Sequence, residues 1–279
     1  IVKPTEYLEE FSYLFFLRLF DEQEIYNESV AKELGEEYIP IIPQEYRFFN
    51  WACDPRNYAR KMGFKTVIDF LDKMFLDLAN LPDTGNIKID EDRRIIRKIF
   101  SNKTRKIQSD NTAIQVIDRL RFLKLPADEG KRFDALGRGY EFLMYKLGQQ
   151  GNYGQFFTPR NIVAFMVRLI DPNPGEVILD PAAGTGGFLV KAFEYVKQKI
   201  ESQITNEAEK EFRIRELKHN LHGIEKAPDV FKLGLMNLRL HGDGSSNFEN
   251  DDALSGKVQS AYKEKADVIL TNPPFGPFA

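Results

Sequence analysis

The sequence predicts two domains: an all-helical one over residues 1–148 and an α/β one, built on a parallel sheet, over residues 149–279. Three observations predict this. Up to about residue 150, apolar residues recur at helical spacing with little strand signal. Beyond Gly148, short β-branched runs alternate with helical patterns, the texture of parallel strands joined by crossovers. The first of those runs, Val177-Ile178-Leu179-Asp180, enters a small-residue turn, Pro181-Ala182-Ala183-Gly184-Thr185-Gly186-Gly187, and a helix pattern follows. That is the strand–turn–helix grammar of a nucleotide-type cofactor site.

The chain of 279 residues is long enough for two domains and a sizeable core. No apolar run reaches the roughly 18 residues of a membrane span. A single cysteine, Cys53, excludes an internal disulfide and a cysteine-clustered metal site, and no metal is expected. With no export signal, the chain reads as cytoplasmic. It starts at Ile1, which leaves room for residues ahead of it. Net charge is −3, so any duplex would be held by local patches or by a partner.

In the first half, residues 7–20 form a dense apolar helix with Arg and Glu interspersed. Pro40 and Pro43 punctuate a connection over residues 38–46. Residues 57–78 carry Val67, Ile68, Phe70, Leu71, Met74, Phe75 and Leu78 close to an i, i+3, i+4 pattern. Leu81-Pro82-Asp83-Thr84-Gly85 is a stop-and-turn signal. Residues 90–100, 111–123 and 133–147 predict three more helices. Arg93, Arg94, Arg97, Lys98, Lys103, Arg105 and Lys106 form the strongest basic cluster. It reads first as a solvated face and alternatively as a contact for DNA phosphates or an acidic partner. Trp51 and the many phenylalanines read as core.

The second half opens on a loop, Gly151-Asn152-Tyr153-Gly154-Gln155-Phe156-Phe157. Thr158 then makes a good N-cap, with Pro159 as first helical residue of a helix to about 169. Strands are predicted at 177–179, 221–225 and 267–270. Helices are predicted at 188–200 and 228–240, with one extended charged helix over 201–218. The stretch 241–256 is too polar for a strand and reads as a loop. Ligands belong at the carboxyl ends of such strands, and the unusual polar residues fall there.

Gly184, Gly186 and Gly187 let backbone approach a ligand where a Cβ would clash. Asp180 can accept a hydrogen bond from a cationic amine. An acid there repels a pyrophosphate and suits the methionine moiety of S-adenosylmethionine, and the missing Gly-Lys-Ser/Thr excludes a P-loop. Glu225, at the end of the next strand, can accept both hydroxyls of a ribose. Asp252 can accept from an adenine amino group, with Asp251 competing and a solvated acidic loop equally compatible. In Asn272-Pro273-Pro274-Phe275, the prolines take the chain out of the sheet along one rigid path. The amide oxygen of Asn272 and the carbonyl of Pro273 can converge on one NH₂ group, favouring a pyramidal nitrogen with its lone pair aimed at an electrophilic methyl. Phe275 offers a face for a flat base swung out of a duplex.

Asp180 to Phe188 followed by Asn272-Pro273-Pro274-Phe275 resembles the amino-methyltransferases of DNA. Gly154-Gln155-Phe156-Phe157-Thr158-Pro159 resembles the cofactor segment of their adenine-N6 subgroup. The helical half, including Phe16-Leu17-Arg18-Leu19, resembles the modification (M) subunit of type I restriction–modification systems. The resemblance implies a helical N-terminal domain followed by a Rossmann-like α/β S-adenosylmethionine-dependent methyltransferase domain, truncated here after about four strands. It implies that Gln155, Phe156, Phe157, Thr158, Asp180, Ala182, Gly184, Thr185, Gly186, Gly187, Glu225 and Asp252 form the cofactor side. Asn272, Pro273, Pro274 and Phe275 would then grip the target adenine. The implied activity is adenine-N6 methylation of DNA. The implied partners are DNA, a separate specificity (S) subunit, a second M subunit and a restriction (R) subunit. Protein glutamine-N5 methylation, cytosine-N4 methylation and a non-catalytic nucleotide-binding scaffold are the competing readings.

Overall fold

The computed structural model describes residues 4–103, 105–123, 139–140, 142–143, 158–242, 247–263 and 265–274, with side chains from Glu10 onward. The predicted helix at 133–147 lies largely outside the described residues, and the loop at 151–157 and Phe275 lie wholly outside them. The chain divides into two compact units, Ile1–Leu143 and Met144–Ala279.

In the first unit, α1 (Pro4–Leu34) is far longer than the apolar run that signals it. Tyr13, Leu14, Phe16, Leu17, Leu19 and Phe20 are buried. The helix then continues on good helix formers with little apolar content. Gly35 stops it at φ +71°, and bonds from the Gly35 N–H to the Lys32 carbonyl and the Glu36 N–H to the Ala31 carbonyl close a Schellman turn. Buried acids on α1 organise the segment that follows. Glu24 accepts from the Tyr38 hydroxyl and from the N–H groups of Ile41 and Ile42. Asp21 accepts from Arg47 and from the Phe49 N–H. The proline-punctuated connection is thus held to α1 by carboxylates on backbone donors, and it contains a 3₁₀ turn, Gln44–Tyr46.

Beyond it come α2 (Phe48–Trp51), α3 (Pro55–Lys61), α4 (Val67–Ala79), α5 (Ile87–Phe100) and α6 (Asp110–Arg121). The run predicted over 57–78 is therefore two helices. Gly63, at φ +86°, breaks it, and Thr66 and Asp69 restart it with a capping box. Trp51 is fully buried, with Phe48 and Phe70 edge-on to its ring and its Nε1–H donated to the Tyr46 carbonyl.

Four of the seven basic side chains of the cluster are engaged within the unit, while Arg94 is exposed. Arg93 is buried and donates to the carbonyls of Pro40, Ile41 and Pro82. Arg97 donates to the Leu81 carbonyl and Asp83. Arg105 pairs with Asp72, and the Lys103 ammonium lies 4.1 Å from the centre of the Tyr13 ring. The arginines tie loops to helices, because one guanidinium supplies several donors to loop carbonyls at once.

The second unit runs α7 (Arg160–Ile170), β1 (Ile178–Asp180), α8 (Gly187–Gln203), α9 (Glu207–Asn220), β2 (Leu221–Ile224), α10 (Pro228–Leu240), β3 (Phe248–Glu249), α11 (Gly256–Tyr262) and β4 (Val268–Ile269). The described strands form one parallel sheet in the order β3-β2-β1-β4. Two departures from the sequence reading have clear causes. The charged stretch forms the expected helix, α9, but starts later, at Glu207, because Asn206 caps it by accepting from the Glu209 N–H. The loop at 241–256 contains β3, carried by one apolar residue, Phe248. That ring is fully buried and stacks on Phe231 with centroids 5.1 Å apart. It fits because β2 and α10 present glycines to it. A Cβ at Gly223 would sit 2.5 Å from the ring, and one at Gly234 2.6 Å from it.

Candidate functional site

Successive strands run outward from β1 through β2 to β3, and β4 then returns to pair with β1 on its other side. The order of the sheet reverses between β1 and β4, where a crevice opens at the carboxyl ends of the strands. Two of the sequence candidates sit there. Asp180 is the last residue of β1, and Asn272 follows β4 after Leu270 and Thr271. A small cleft, partly open to solvent, is lined by Thr158, Asp180, Ala182, Thr185, Gly187 and Asn272, together with Val163, Ala183 and Phe188.

The glycine turn that forms one wall is stapled from several sides. The Ala182 N–H donates to Asp180 at 3.1 Å, and the Ala183 N–H donates to the Ile224 carbonyl at 2.9 Å. The Gly184 N–H donates to Glu225 at 3.0 Å. Asn237, buried on α10, donates to the Thr185 carbonyl at 2.9 Å. Gly184 and Gly186 have φ of +55° and +77°, a region costly for any residue with a Cβ. Gly186 caps α8, so the amino end of that helix opens beside Asp180.

Asp180 is only 1% exposed. Burial pushes its carboxyl up to about 7, and the nearby Glu225 charge adds to the rise, while the Thr271 hydroxyl and the Ala182 N–H pull it down. A buried acid held near neutrality gains when a cation arrives. The helix N-terminus beside it favours an anion. An amino-acid zwitterion presents both charges, so the methionine end of S-adenosylmethionine fits what these residues offer.

Glu225 is also buried, and its carboxyl is raised by burial. Its two oxygens accept from the Gly184 and Ala227 N–H groups, the latter at 2.7 Å. The sequence reading assigned it a ribose and missed this second task, that of bracing the turn. Asp252 is more exposed. It pairs with Lys226 at 2.8 Å and accepts from the Leu254 N–H. Asn250 donates to the Glu225 and Lys226 carbonyls, which joins the two loops. The competitor Asp251 accepts from the Asp252 N–H and pairs with Lys257. Glu225 and Asp252 therefore lie past the ends of β2 and β3; neither lines the Asp180 cleft itself, and Glu225 braces the turn that forms its wall.

One prediction fails locally. Thr158 does not cap the helix: Pro159 occupies the N-cap position without a side-chain cap, and α7 begins at Arg160. The Thr158 hydroxyl instead accepts from Nδ2 of Asn272 at 3.0 Å. Pro273 and Pro274 are exposed. Gln155, Phe156 and Phe157 lie, like Phe275, among residues whose placement is not described. The bracing residue Asn237 was not singled out from sequence. Asn237 has no local signal, since its role depends on α10 packing against the turn.

Residues 131–277 match the family described as N-6 DNA Methylase. The methylase subunit of the type I restriction enzyme EcoEI of Escherichia coli is 34% identical over 273 residues, covering 96% of this chain and 51% of that protein. The EcoKI methylase subunit of Escherichia coli strain K12 is 28% identical over 282 residues, covering 99% and 47%. A solved structure of a modification subunit assigned to a type I restriction enzyme of Vibrio vulnificus YJ016 superposes with a TM-score of 0.76 at 28% identity. It covers 99% of this chain and 57% of that one. The chain spans about half the length of the curated relatives it matches.

Proposed function

Because the chain belongs to the N-6 DNA methylase family, we propose that it is the cofactor- and base-binding part of a type I modification subunit, methylating N6 of an adenine turned out of DNA. The observation that carries this reading is the single cleft shared by Asp180 and Asn272 at the reversal of the strand order. An acid for a cationic amine and a carboxamide for a planar NH₂ group face the same space.

When bound, S-adenosylmethionine supplies an electrophilic methyl group on a sulfonium. Asp180 holds the ammonium of its methionine end, and the amino end of α8 favours the carboxylate. Glu225 and Asp252 are the acceptors for ribose and adenine. Oδ1 of Asn272 and the carbonyl of Pro273 accept the two hydrogens of the target amine. The nitrogen lone pair, otherwise delocalised into the ring, is thereby freed for attack. By the family resemblance Phe275 would meet the extruded base and Gln155, Phe156 and Phe157 the cofactor; all four lie outside the described residues.

Arg93, Arg97 and Arg105, the arginines a phosphate contact would draw on first in the basic cluster, bind within the helical unit, and the net charge of the chain is −3. Sequence recognition therefore belongs to a specificity subunit, with a second modification subunit and a restriction subunit completing the complex. The test is incubation of the full-length protein and its specificity subunit with labelled S-adenosylmethionine and DNA. Label on adenine N6 is expected; cofactor binding without transfer to adenine refutes the assignment.

A further inference from the structure

A carboxamide has two ends of nearly the same shape and opposite hydrogen-bonding character. Asn272 can serve a base amine only with Oδ1 toward it, because Nδ2 would set donor against donor. Something must therefore hold the amide one way round.

Among the described residues, one group meets the amide with Oδ1 left free: the Thr158 hydroxyl, acting here as acceptor. Nδ2 of Asn272 donates to the Thr158 hydroxyl at 3.0 Å, across 114 residues of sequence. Both residues line the cleft that contains Asp180. Thr158 is the threonine the sequence offers as a cap for α7, yet the N-cap is Pro159, with no side-chain cap, and α7 starts at Arg160. A local stabilising rule is set aside, and the hydroxyl is turned toward Asn272 instead; such departures collect at functional sites.

We propose that Thr158 is a positioning residue for methyl transfer: its hydroxyl anchors Nδ2 of Asn272, so that Oδ1 is the atom presented to the target amine. This rests on the function proposed above and assigns to Thr158 an action on the base side of the site, distinct from flanking the cofactor.

The experiment uses the full-length protein with its specificity subunit. Thr158→Val keeps the shape and removes the acceptor, Thr158→Ala removes it without adding bulk, and Thr158→Ser restores it. Turnover on DNA is measured, and S-adenosylmethionine affinity is measured by calorimetry, which also reports that each variant is folded. Both variants lacking the hydroxyl should lose about 10- to 100-fold in kcat, the cost of a misaligned reacting group. Their cofactor Kd should stay within about threefold, a change of under 1 kcal/mol in binding. Serine should recover most of the rate. Wild-type kcat in Thr158→Val and Thr158→Ala overturns the proposal, as does a loss of cofactor affinity that matches the loss of rate, or a serine variant as slow as valine. Asn272→Ala separates the two claims: if it turns over normally, the assigned function itself falls.

Discussion

Replacing Asp180 with asparagine should stabilise the cofactor-free protein while damaging its binding site. The carboxyl is 1% exposed and pushed up to about 7, against the 3.8 of an unburied aspartate. The folded chain therefore binds this proton more tightly than the unfolded chain. The group's contribution is fully present below about pH 4 and is lost as pH rises toward and through about 7. Above that, holding the ionised carboxylate in the fold costs about 4 kcal/mol. Asparagine keeps the acceptor for the Ala182 N–H and removes the charge. Its stabilising effect should be about 2–3 kcal/mol larger at about pH 8 than at about pH 5, from the same linkage. Denaturant unfolding of wild type and Asp180→Asn at the two pH values, without cofactor, reads this difference. S-adenosylmethionine affinity should fall at least about tenfold, the loss of one charge-assisted hydrogen bond. A stability difference that does not change with pH, or an asparagine variant less stable at the higher pH, refutes the reasoning.

Glu225→Gln places an amide N–H against one of two backbone donors, Gly184 or Ala227. It should destabilise the second unit by about 1–3 kcal/mol and weaken cofactor binding; unchanged unfolding with lost affinity would leave Glu225 only a ribose contact. Arg93→Met strands the carbonyls of Pro40, Ile41 and Pro82 and should cost about 2–4 kcal/mol, with the salt dependence of DNA binding unchanged in the intact complex. A stable variant with a shallower salt slope would return Arg93 to the phosphates.

The parts of this chain that were legible in sequence are those written locally. The β1 run, the glycine turn and the Asn-Pro-Pro-Phe stretch announce themselves by composition. The capping pair Thr66 and Asp69 could have been read the same way, as could the break at Gly63, had the apolar periodicity not run through it. What was illegible depends on distant packing. β3 has one apolar residue, and Phe248 is intelligible only once Gly223 and Gly234 are seen to make room for it. The basic cluster looked solvated because the carbonyls it binds lie up to 53 residues away in sequence. Thr158 obeyed the local capping rule in sequence and broke it in the fold, because Asn272 takes its hydroxyl.

The central claim is that Asp180 and Asn272 share one cleft because it joins a methyl donor to an exocyclic amine. The most direct measurement is the position of the methyl group in DNA from cells carrying the full system with wild-type protein, compared with Asn272→Ala. The account predicts methylation at adenine N6 within one recognition sequence for wild type. It predicts none for Asn272→Ala, with S-adenosylmethionine affinity retained by the purified variant. Methylation of cytosine, methylation of a protein and not of DNA, or undiminished adenine methylation in Asn272→Ala would contradict it.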